Sequence, residues 1–386
     1  MSLAELKKFG HYVSNGQQYY TLSDAKSASS KQVEYVLNDD IYTRHNWNND
    51  PCPELSLGDL YRLRAEKLRQ EHDYVVLMYS GGPDSTNILD TFCDNGLRID
   101  EIVNFNSYNS TALVDGTLNN ADFIYNVRPR LEQLRSEGKL DAKITIYDEV
   151  DMSLQHWHRM KKMGWDDIAT CLGGPNMWLN IPYAHQYGSA LWKRIQSKEK
   201  VCIIYGHDKP SSVIIDGKRA IYHSSLPLGN FGEVVKQYPA LMAPLVKACH
   251  WFYVSPDSAS IVMKQSYILN QFCNLNQEPE FYSAAPASPG LRTAYSWPSK
   301  KGYGNLKYDI FHRLIYPKWR PKFITPKVRD LLLRPQDCWW VTSLQTEQKS
   351  IWEHYVKNFV KENFANIEKS GTMMMVPPKT KPIFIE

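Results

Sequence analysis

The residue types best suited to chemistry are concentrated in one short segment, residues 80 to 86. The segment reads Ser80, Gly81, Gly82, Pro83, Asp84, Ser85 and Thr86. Its hydroxyls can donate hydrogen bonds, and the carboxylate of Asp84 can hold a Mg²⁺ ion shared with a bound group. Its two glycines let the main chain approach an anion with no Cβ in the way. This combination predicts a cradle for phosphate.

Sequence patterns on either side place this segment between a strand and a helix. Residues 74 to 79 form an apolar run of the length of a buried parallel strand. After the segment, Ile88, Leu89 and Phe92 recur at helical spacing. The segment would therefore lie at a helix N-terminus, where unpaired backbone N–H groups and the helix dipole favour an anion. We expect Asp84 to lie in a surface loop there, outside the core.

The six residues from Ser80 to Ser85 resemble the PP-loop, Ser-Gly-Gly-x-Asp-Ser, of the N-type ATP pyrophosphatase superfamily. That group includes the synthetase domain of asparagine synthetase, tRNA lysidine synthetase and the enzyme that makes 7-cyano-7-deazaguanine. Its members cleave ATP between the α- and β-phosphates, and a nucleophile then attacks the adenylated substrate. The resemblance implies ATP and Mg²⁺ as cofactors, bound by residues 80 to 86. No Walker A pattern occurs in the chain. The alternative is a glycine-rich turn that only lets a helix pack on a sheet.

Predicted strands and helices alternate downstream of the segment. Strands are predicted over 99–105, 142–147 and 201–205, and helices over 122–134, 152–163 and 185–195. This alternation predicts an α/β fold with a doubly wound parallel sheet, Rossmann-like, carrying N-terminal and C-terminal extensions. The family resemblance implies strand order 3-2-1-4-5, which would bring the end of the fourth strand beside the first.

The residues that follow the other predicted strands are further site candidates, because ligands of such sheets bind beyond the carboxyl ends of the strands. After the fourth strand, Lys209 can neutralise ATP phosphates and Asp208 can share the metal with Asp84. The alternative is a solvated turn ended by proline. After the second strand, Phe105 and Asn106 lie where relatives bind adenine. We therefore predict Asp84, Asp208 and Lys209 as catalytic, with the two aspartates holding the metal.

Three regions are expected along the chain. Residues 1–70 would form an N-terminal unit packed on the core, with a hairpin at Asn15-Gly16 and a helix capped by Ser56. Residues 71–260 would form the PP-loop domain, and residues 261–386 an aromatic, basic C-terminal region. The pattern turns irregular and aromatic from about Trp251. A hairpin turning on Asp216-Gly217 would extend the sheet edge, and the tail would dock as an edge strand.

The basic C-terminal stretch, residues 297–329, has two interpretations. It carries nine lysine or arginine residues against one aspartate, with aromatic residues interleaved. Charge with stacking platforms is typical of nucleic-acid binding. A net charge of only +4 favours the alternative, a cover that packs its aromatic residues on the core.

The composition argues against membrane, secreted and disulfide-rich classes of protein. The chain has 386 residues, is 43% hydrophobic, and contains no apolar stretch long enough for a membrane span and no signal-peptide core at its start. We expect a soluble, cytoplasmic protein with no membrane partner. Its seven cysteines are scattered without a CxxC pair, which argues against a zinc ribbon or a disulfide framework.

The resulting functional expectation is an AMP-forming ligase. It would resemble an asparagine synthetase domain without a glutaminase domain, since residue 2 is Ser2 and not the cysteine nucleophile of that half. The acceptor would be a small molecule or a nucleic acid. One alternative is an enzyme that modifies a tRNA or DNA base with the same chemistry. A second is a relative resembling the sulfonucleotide reductases, or one without catalysis, although Cys338 lacks the reductases' surrounding motif.

Overall fold

The computed structural model describes part of the chain. The described residues are 3–28, 33–37, 52–106, 113–114, 117–118, 123–148, 190–197, 199–206, 211–215, 218–223, 228, 232, 235, 239–255, 258–275, 312–319, 381 and 383–384.

Strands and helices alternate through the middle of the chain. The strands are β1 (His11–Ser14), β2 (Gln17–Tyr19), β3 (Glu34–Val36), β4 (Tyr74–Met78), β5 (Glu101–Asn106), β6 (Leu113–Val114), β7 (Thr117–Leu118), β8 (Lys143–Asp148), β9 (Val201–Tyr205), β10 (Ser211–Ile215), β11 (Lys218–Tyr222), β12 (Cys249–Trp251) and β13 (Ile383–Phe384). The α-helices are α1 (Leu22–Ser27), α2 (Leu57–Glu71), α3 (Pro83–Asp94), α4 (Arg128–Ser136), α5 (Ala190–Gln196), α6 (Pro239–Ala248) and α7 (Ala259–Leu275).

A five-stranded parallel sheet organises the described chain. Its strands lie in the order β8-β5-β4-β9-β12, with β4 in the middle. Every neighbouring pair is parallel, as in the pairing of Val75 with Cys202 and of Val76 with Glu101. The predicted α/β fold with a parallel sheet is therefore confirmed. The edge strand β12 was not predicted, because Cys249-His250-Trp251 is too short to show a pattern.

Both faces of the sheet are covered. Val75, Leu77 and Tyr79 pack with apolar side chains of α2, α3 and α4 on one face. Val76, between them in sequence, packs on the other face with side chains of α5, α6 and the N-terminal region. Alternate residues of a strand point to opposite faces, so a strand covered on both sides is apolar throughout. This explains the unbroken apolar run that precedes residue 80.

The N-terminal region packs on the second of these faces. β1 pairs with β2 across a turn in which Asn15 has φ 49° and Gly16 has φ 76°, as expected for an Asn-Gly hairpin. Tyr12 and Tyr35 belong to the same apolar cluster as Val76. The predicted hairpin is confirmed.

The Ser56 cap is also confirmed. The Asp59 amide donates to Ser56 Oγ over 3.1 Å, and α2 begins at the next residue after Ser56. The cap satisfies one of the amides that a helix N-terminus leaves without an intrahelical partner. The cap thus fixes the first residue of α2, the helix that precedes β4 in the chain.

Two predictions in the C-terminal half are wrong. The hairpin β10–β11 does not extend the main sheet, because β12 already occupies the edge beside β9; the hairpin instead pairs with the tail strand β13. The expected irregular pattern from about Trp251 is wrong for residues 259–275, because α7 spans Ala259–Leu275. Ile261 packs in one apolar cluster and Val262 in the other, so this helix shows no single apolar stripe.

Other predicted elements shift by a few residues. Pro129 lies in the first turn of α4, after a π-helical turn at Phe123–Val127, and so marks the start of the helix. The predicted helix over 152–163 lies outside the described residues, and the predicted domain boundaries stay predictions. No helix in the described part of the chain has both the length and the apolar character needed to cross a bilayer.

Two glycines of the N-terminal region give a matched test of this packing. Gly10 has φ 111°, and a Cβ there would lie 2.3 Å from the Val36 carbonyl oxygen. Gly16 has φ 76° with open space around it. Gly16→Ala should lower the free energy of unfolding by about 1 kcal/mol through backbone strain. Gly10→Ala should lower it by about 3 kcal/mol, because a clash with backbone adds to the strain. Urea unfolding measures both, and equal losses would contradict the close β1–β3 packing.

Candidate functional site

The segment from residue 80 to 86 connects the middle strand of the sheet to α3. Tyr79 extends β4 by donating its amide to the Val103 carbonyl over 2.8 Å, and the Asn104 side chain donates to the Tyr79 carbonyl over 2.7 Å. Helix α3 begins at Pro83, whose fixed φ suits the first helical position. The predicted strand–loop–helix arrangement is therefore confirmed.

Two serines hold the loop in shape. Ser85 Oγ lies 3.2 Å from Ser80 Oγ, accepts from the Ser80 amide over 3.3 Å and donates to the Gly82 carbonyl over 3.2 Å. Ser85 is buried, whereas Ser80 is exposed. Thr86 Oγ1 lies 3.4 Å from the Tyr79 hydroxyl. Of the three residues whose hydroxyls are predicted to bind phosphate, Ser80 alone is exposed, and its Oγ also accepts a hydrogen bond from the Gly82 amide over 3.3 Å.

Gly81 is required by conformation and by packing. Its φ of 73° is in the left-handed region, and a Cβ there would lie 2.7 Å from Cγ2 of Val127. Val127 precedes α4, which Arg130 anchors to α3 by donating through Nε to Asp90 over 3.1 Å. The missing Cβ of Gly81 therefore admits a neighbouring element on one side of the loop.

The first turn of α3 has the features of an anion site. Gly82 is its N-cap, and no side chain caps that turn with a hydrogen bond. A helix N-terminus presents backbone amides without intrahelical partners together with the positive end of the dipole. Because the cap residue brings no side-chain acceptor, an external anion can take that place.

Asp84 does not lie free in a surface loop, and that expectation is corrected. It is the second residue of α3, half-buried, and its Oδ1 accepts a hydrogen bond from the Tyr316 hydroxyl. Its carbonyl accepts a second one from the Tyr253 hydroxyl over 2.9 Å. Both tyrosines come from the C-terminal half of the chain, so no pattern near residue 84 could reveal them.

A cluster of three tyrosines lies beneath Asp84. The ring centroids of Tyr61, Tyr253 and Tyr316 lie 5.7 to 6.3 Å apart. Burial, followed by the nearby Asp84 carboxylate and neighbouring phenols, raises the pKa of Tyr253 and Tyr316 well above the ordinary value. These phenols therefore stay protonated and act as donors towards Asp84. Asn87 supports the arrangement by donating to the Tyr253 hydroxyl over 2.9 Å.

The end of β9 lies against the same helix turn. A Cβ at Gly206, the residue after β9, would lie 3.1 Å from the Ser85 amide nitrogen and 3.2 Å from the Asp84 carbonyl carbon. The chain therefore leaves β9 in direct contact with the start of α3. His207, Asp208 and Lys209 follow at once but lie outside the described residues.

The adenine candidates lie at the same end of the sheet. Phe105 and Asn106 close β5, and Asn106 pairs with Asp148 at the end of β8. The structure thus brings the backbone of these residues to the carboxyl end of the sheet, where the loop also lies.

The described residues fit a phosphate with a divalent cation. The helix N-terminus without a side-chain cap, the exposed residue Ser80 and the oriented carboxylate of Asp84 lie in one segment. Oxygen donors of this type suit Mg²⁺, which binds phosphates through one or two carboxylates.

No protein-family model, no curated protein and no solved structure matches this chain.

The contact between Asp84 and Tyr316 can be tested by a double-mutant cycle. Asp84→Ala should lower the free energy of unfolding by about 1–3 kcal/mol, because the buried phenol loses its carboxylate acceptor. Tyr316→Phe should cost about 0.5–1.5 kcal/mol. The double variant should lose less than the sum of the two, since both single changes remove the same hydrogen bond. Denaturant unfolding measures the cycle; strictly additive losses would show that the two side chains do not interact.

Proposed function

We propose that this chain is an ATP-dependent adenylating enzyme. It cleaves ATP to AMP and pyrophosphate and activates an acceptor oxygen for attack by a nitrogen nucleophile. The observation that carries the proposal is the segment from Ser80 to Thr86, which joins the middle strand of a parallel sheet to a helix N-terminus without a side-chain cap. A polar loop at that position is where sheets of this class bind their ligands.

The strand arrangement supports the proposal. β4 lies between β5 and β9, with β8 and β12 at the two edges of the sheet, and this arrangement supports the order 3-2-1-4-5 that the PP-loop resemblance implies. This order places the end of the fourth strand beside the loop after the first. The close approach of Gly206, at the end of β9, to Ser85, at the start of α3, agrees with this arrangement.

Each predicted site residue then has a role. The backbone amides at the start of α3 and the Ser80 hydroxyl bind the β- and γ-phosphates. Asp84 and Asp208 hold Mg²⁺, which when bound neutralises phosphate charge. Lys209 stabilises the charge that develops on departing pyrophosphate. Tyr316 orients the Asp84 carboxylate, as hydrogen bonds to metal-binding carboxylates commonly do.

The ends of the remaining strands would bind the nucleoside. Phe105 and Asn106 are the last two residues of β5, so their backbone can contact adenine, and Asp148, which pairs with Asn106 at the end of β8, can contact the ribose. Holding the nucleoside there and the phosphates at α3 would leave the α-phosphorus open to in-line attack by the acceptor oxygen.

The acceptor is a small molecule or a nucleic-acid base. In the basic stretch 297–329, the described residues 312–319 pack on the core: Tyr316 is 2% exposed, and Lys318 pairs with Asp94. These contacts favour a small-molecule acceptor over nucleic acid as far as this part of the stretch is concerned. An asparagine synthetase-like ligase is therefore the leading form of the proposal, and base modification is the second.

The products of turnover give the first test. The chain incubated with ATP, Mg²⁺ and candidate acceptors, including carboxylates with ammonia and total RNA, should release AMP and pyrophosphate in equal amounts. Phosphorus NMR distinguishes these from ADP and phosphate. Asp84→Asn serves as the control, because it keeps the size of the side chain while removing the metal-binding charge. ADP as the main product would contradict the proposed chemistry.

Lys209 gives a second, kinetic test. Lys209→Met should reduce kcat by roughly 30- to 1,000-fold, corresponding to about 2–4 kcal/mol of lost transition-state stabilisation. ATP affinity should change far less, because the interaction strengthens as the α–β bond breaks. Lys200→Met is the matched control: Lys200 is exposed and lies at the opposite end of β9. Near-normal turnover in Lys209→Met would show that its role is misassigned.

A further inference from the structure

Among the described residues, one group of three side chains has the donor types and spacing of a metal site. His72, Cys202 and His250 each contribute one potential ligand atom, and these atoms all lie within 4.8 Å of one another. The group lies apart from the segment of residues 80 to 86, because His72 precedes β4 while that segment follows the strand.

Three different elements bring these side chains together. His72 is the C-cap of α2. Cys202 is in β9 and faces the helix α2 side of the sheet. His250 is in β12 between Cys249 and Trp251, which both face the other side, so alternation turns His250 towards Cys202. Each side chain is thus placed by a regular element.

The orientation of His72 matches that of a metal ligand. Its Nδ1 lies 2.8 Å from the Leu68 carbonyl oxygen and donates to it, so Nε2 carries the lone pair. Metal-binding histidines almost always donate their other ring nitrogen to a carbonyl or carboxylate in this way. The His72 and His250 rings stand 4.7 Å apart at 74°. The arrangement leaves the ring planes unstacked.

The protonation states fit two of the three ligands directly. Burial lowers the pKa of both imidazoles, that of His250 to about 2, so both rings are neutral, as metal binding requires. Burial raises the pKa of Cys202 to about 12, so its thiol holds a proton that an incoming metal must displace. A bound Zn²⁺ ion deprotonates a coordinating thiol outright.

Charged neighbours surround the three side chains and disfavour a cation that brings no thiolate into the site. Arg64 opposes a cation at all three side chains, with Lys8, Arg69 and Glu71 as further charged neighbours. A hard cation without a carboxylate ligand would gain nothing here. A soft ion differs, because the thiolate that it binds is stabilised by the same arginine.

We propose that His72, Cys202 and His250 form a binding site for a thiophilic transition-metal ion, with Zn²⁺ as the expected metal. Nitrogen and sulfur donors in this combination suit Zn²⁺ and exclude Mg²⁺ and Ca²⁺. Three protein ligands leave a fourth position for water. Tetrahedral binding needs the ligand atoms about 3.3–3.8 Å apart, given the usual zinc bond lengths. The two histidines are only half-buried, so they have room to close that gap.

Cobalt substitution tests the site in the full-length chain. After treatment with a chelator, titration with Co²⁺ under anaerobic conditions should give one equivalent of bound ion with the visible bands of tetrahedral cobalt and a thiolate charge-transfer band. Added Zn²⁺ should bleach both. Cys202→Ser should abolish the charge-transfer band, and His72→Gln should weaken binding by roughly tenfold or more, the scale seen when even an outer partner of a metal ligand is lost.

Cys249→Ser is the matched control. Cys249 is the residue next to His250, is as buried as Cys202 and has a pKa raised by burial to the same value of about 12, but it faces the other side of the sheet. It should keep both spectral features. Absence of the bands in the wild-type chain, or their equal loss in both cysteine variants, would overturn the proposal. If Cys202→Ser does not fold, unchanged Co²⁺ binding in His72→Gln would overturn it alone.

Discussion

The burial of β4 on both faces is the constraint on which the rest of the structure depends. Val75, Val76 and Leu77 have no exposed surface, and each face of the strand is covered by a separate apolar cluster. Unpaired polar side chains are costly in such surroundings, so β4 is apolar through its middle. Chemistry along β4 is therefore restricted to its ends: the polar loop follows Tyr79, and His72 and Asp73 precede Tyr74.

The segment from residue 80 to 86 forms one physical unit with Tyr253 and with the described residues 312–319. Tyr316 donates to the carboxylate of Asp84 and Tyr253 to its carbonyl, and Tyr61 ties the group to α2 by donating to the Ile315 carbonyl over 2.7 Å. Any ligand that engages the Asp84 carboxylate must share it with a phenol that is anchored in the core. This coupling gives residues 312–319 a role in positioning the site, beyond covering apolar surface.

Local features could be predicted from the sequence, whereas features that depend on distant partners could not. The strand before residue 80, the Asn15-Gly16 turn and the Ser56 cap each depend on neighbouring residues, and all three are confirmed. The contact between Asp84 and Tyr316 joins residues 232 positions apart, so no local pattern reports it. Helix α7 could not be predicted for another reason. It contacts both apolar clusters and therefore has no single apolar stripe in its sequence.

The two ends of β4 present donors of opposite character. The loop after the strand offers hydroxyl, carboxylate and backbone amide groups, which suit phosphate and a hard cation. Near the start of the strand lie the imidazoles of His72 and His250 and the thiol of Cys202, which suit a soft ion. β4 has five residues, so at about 3.3 Å per residue its first and last Cα atoms lie about 13 Å apart. Under the two proposals, the softness of the donors assigns a different kind of ion to each end of β4.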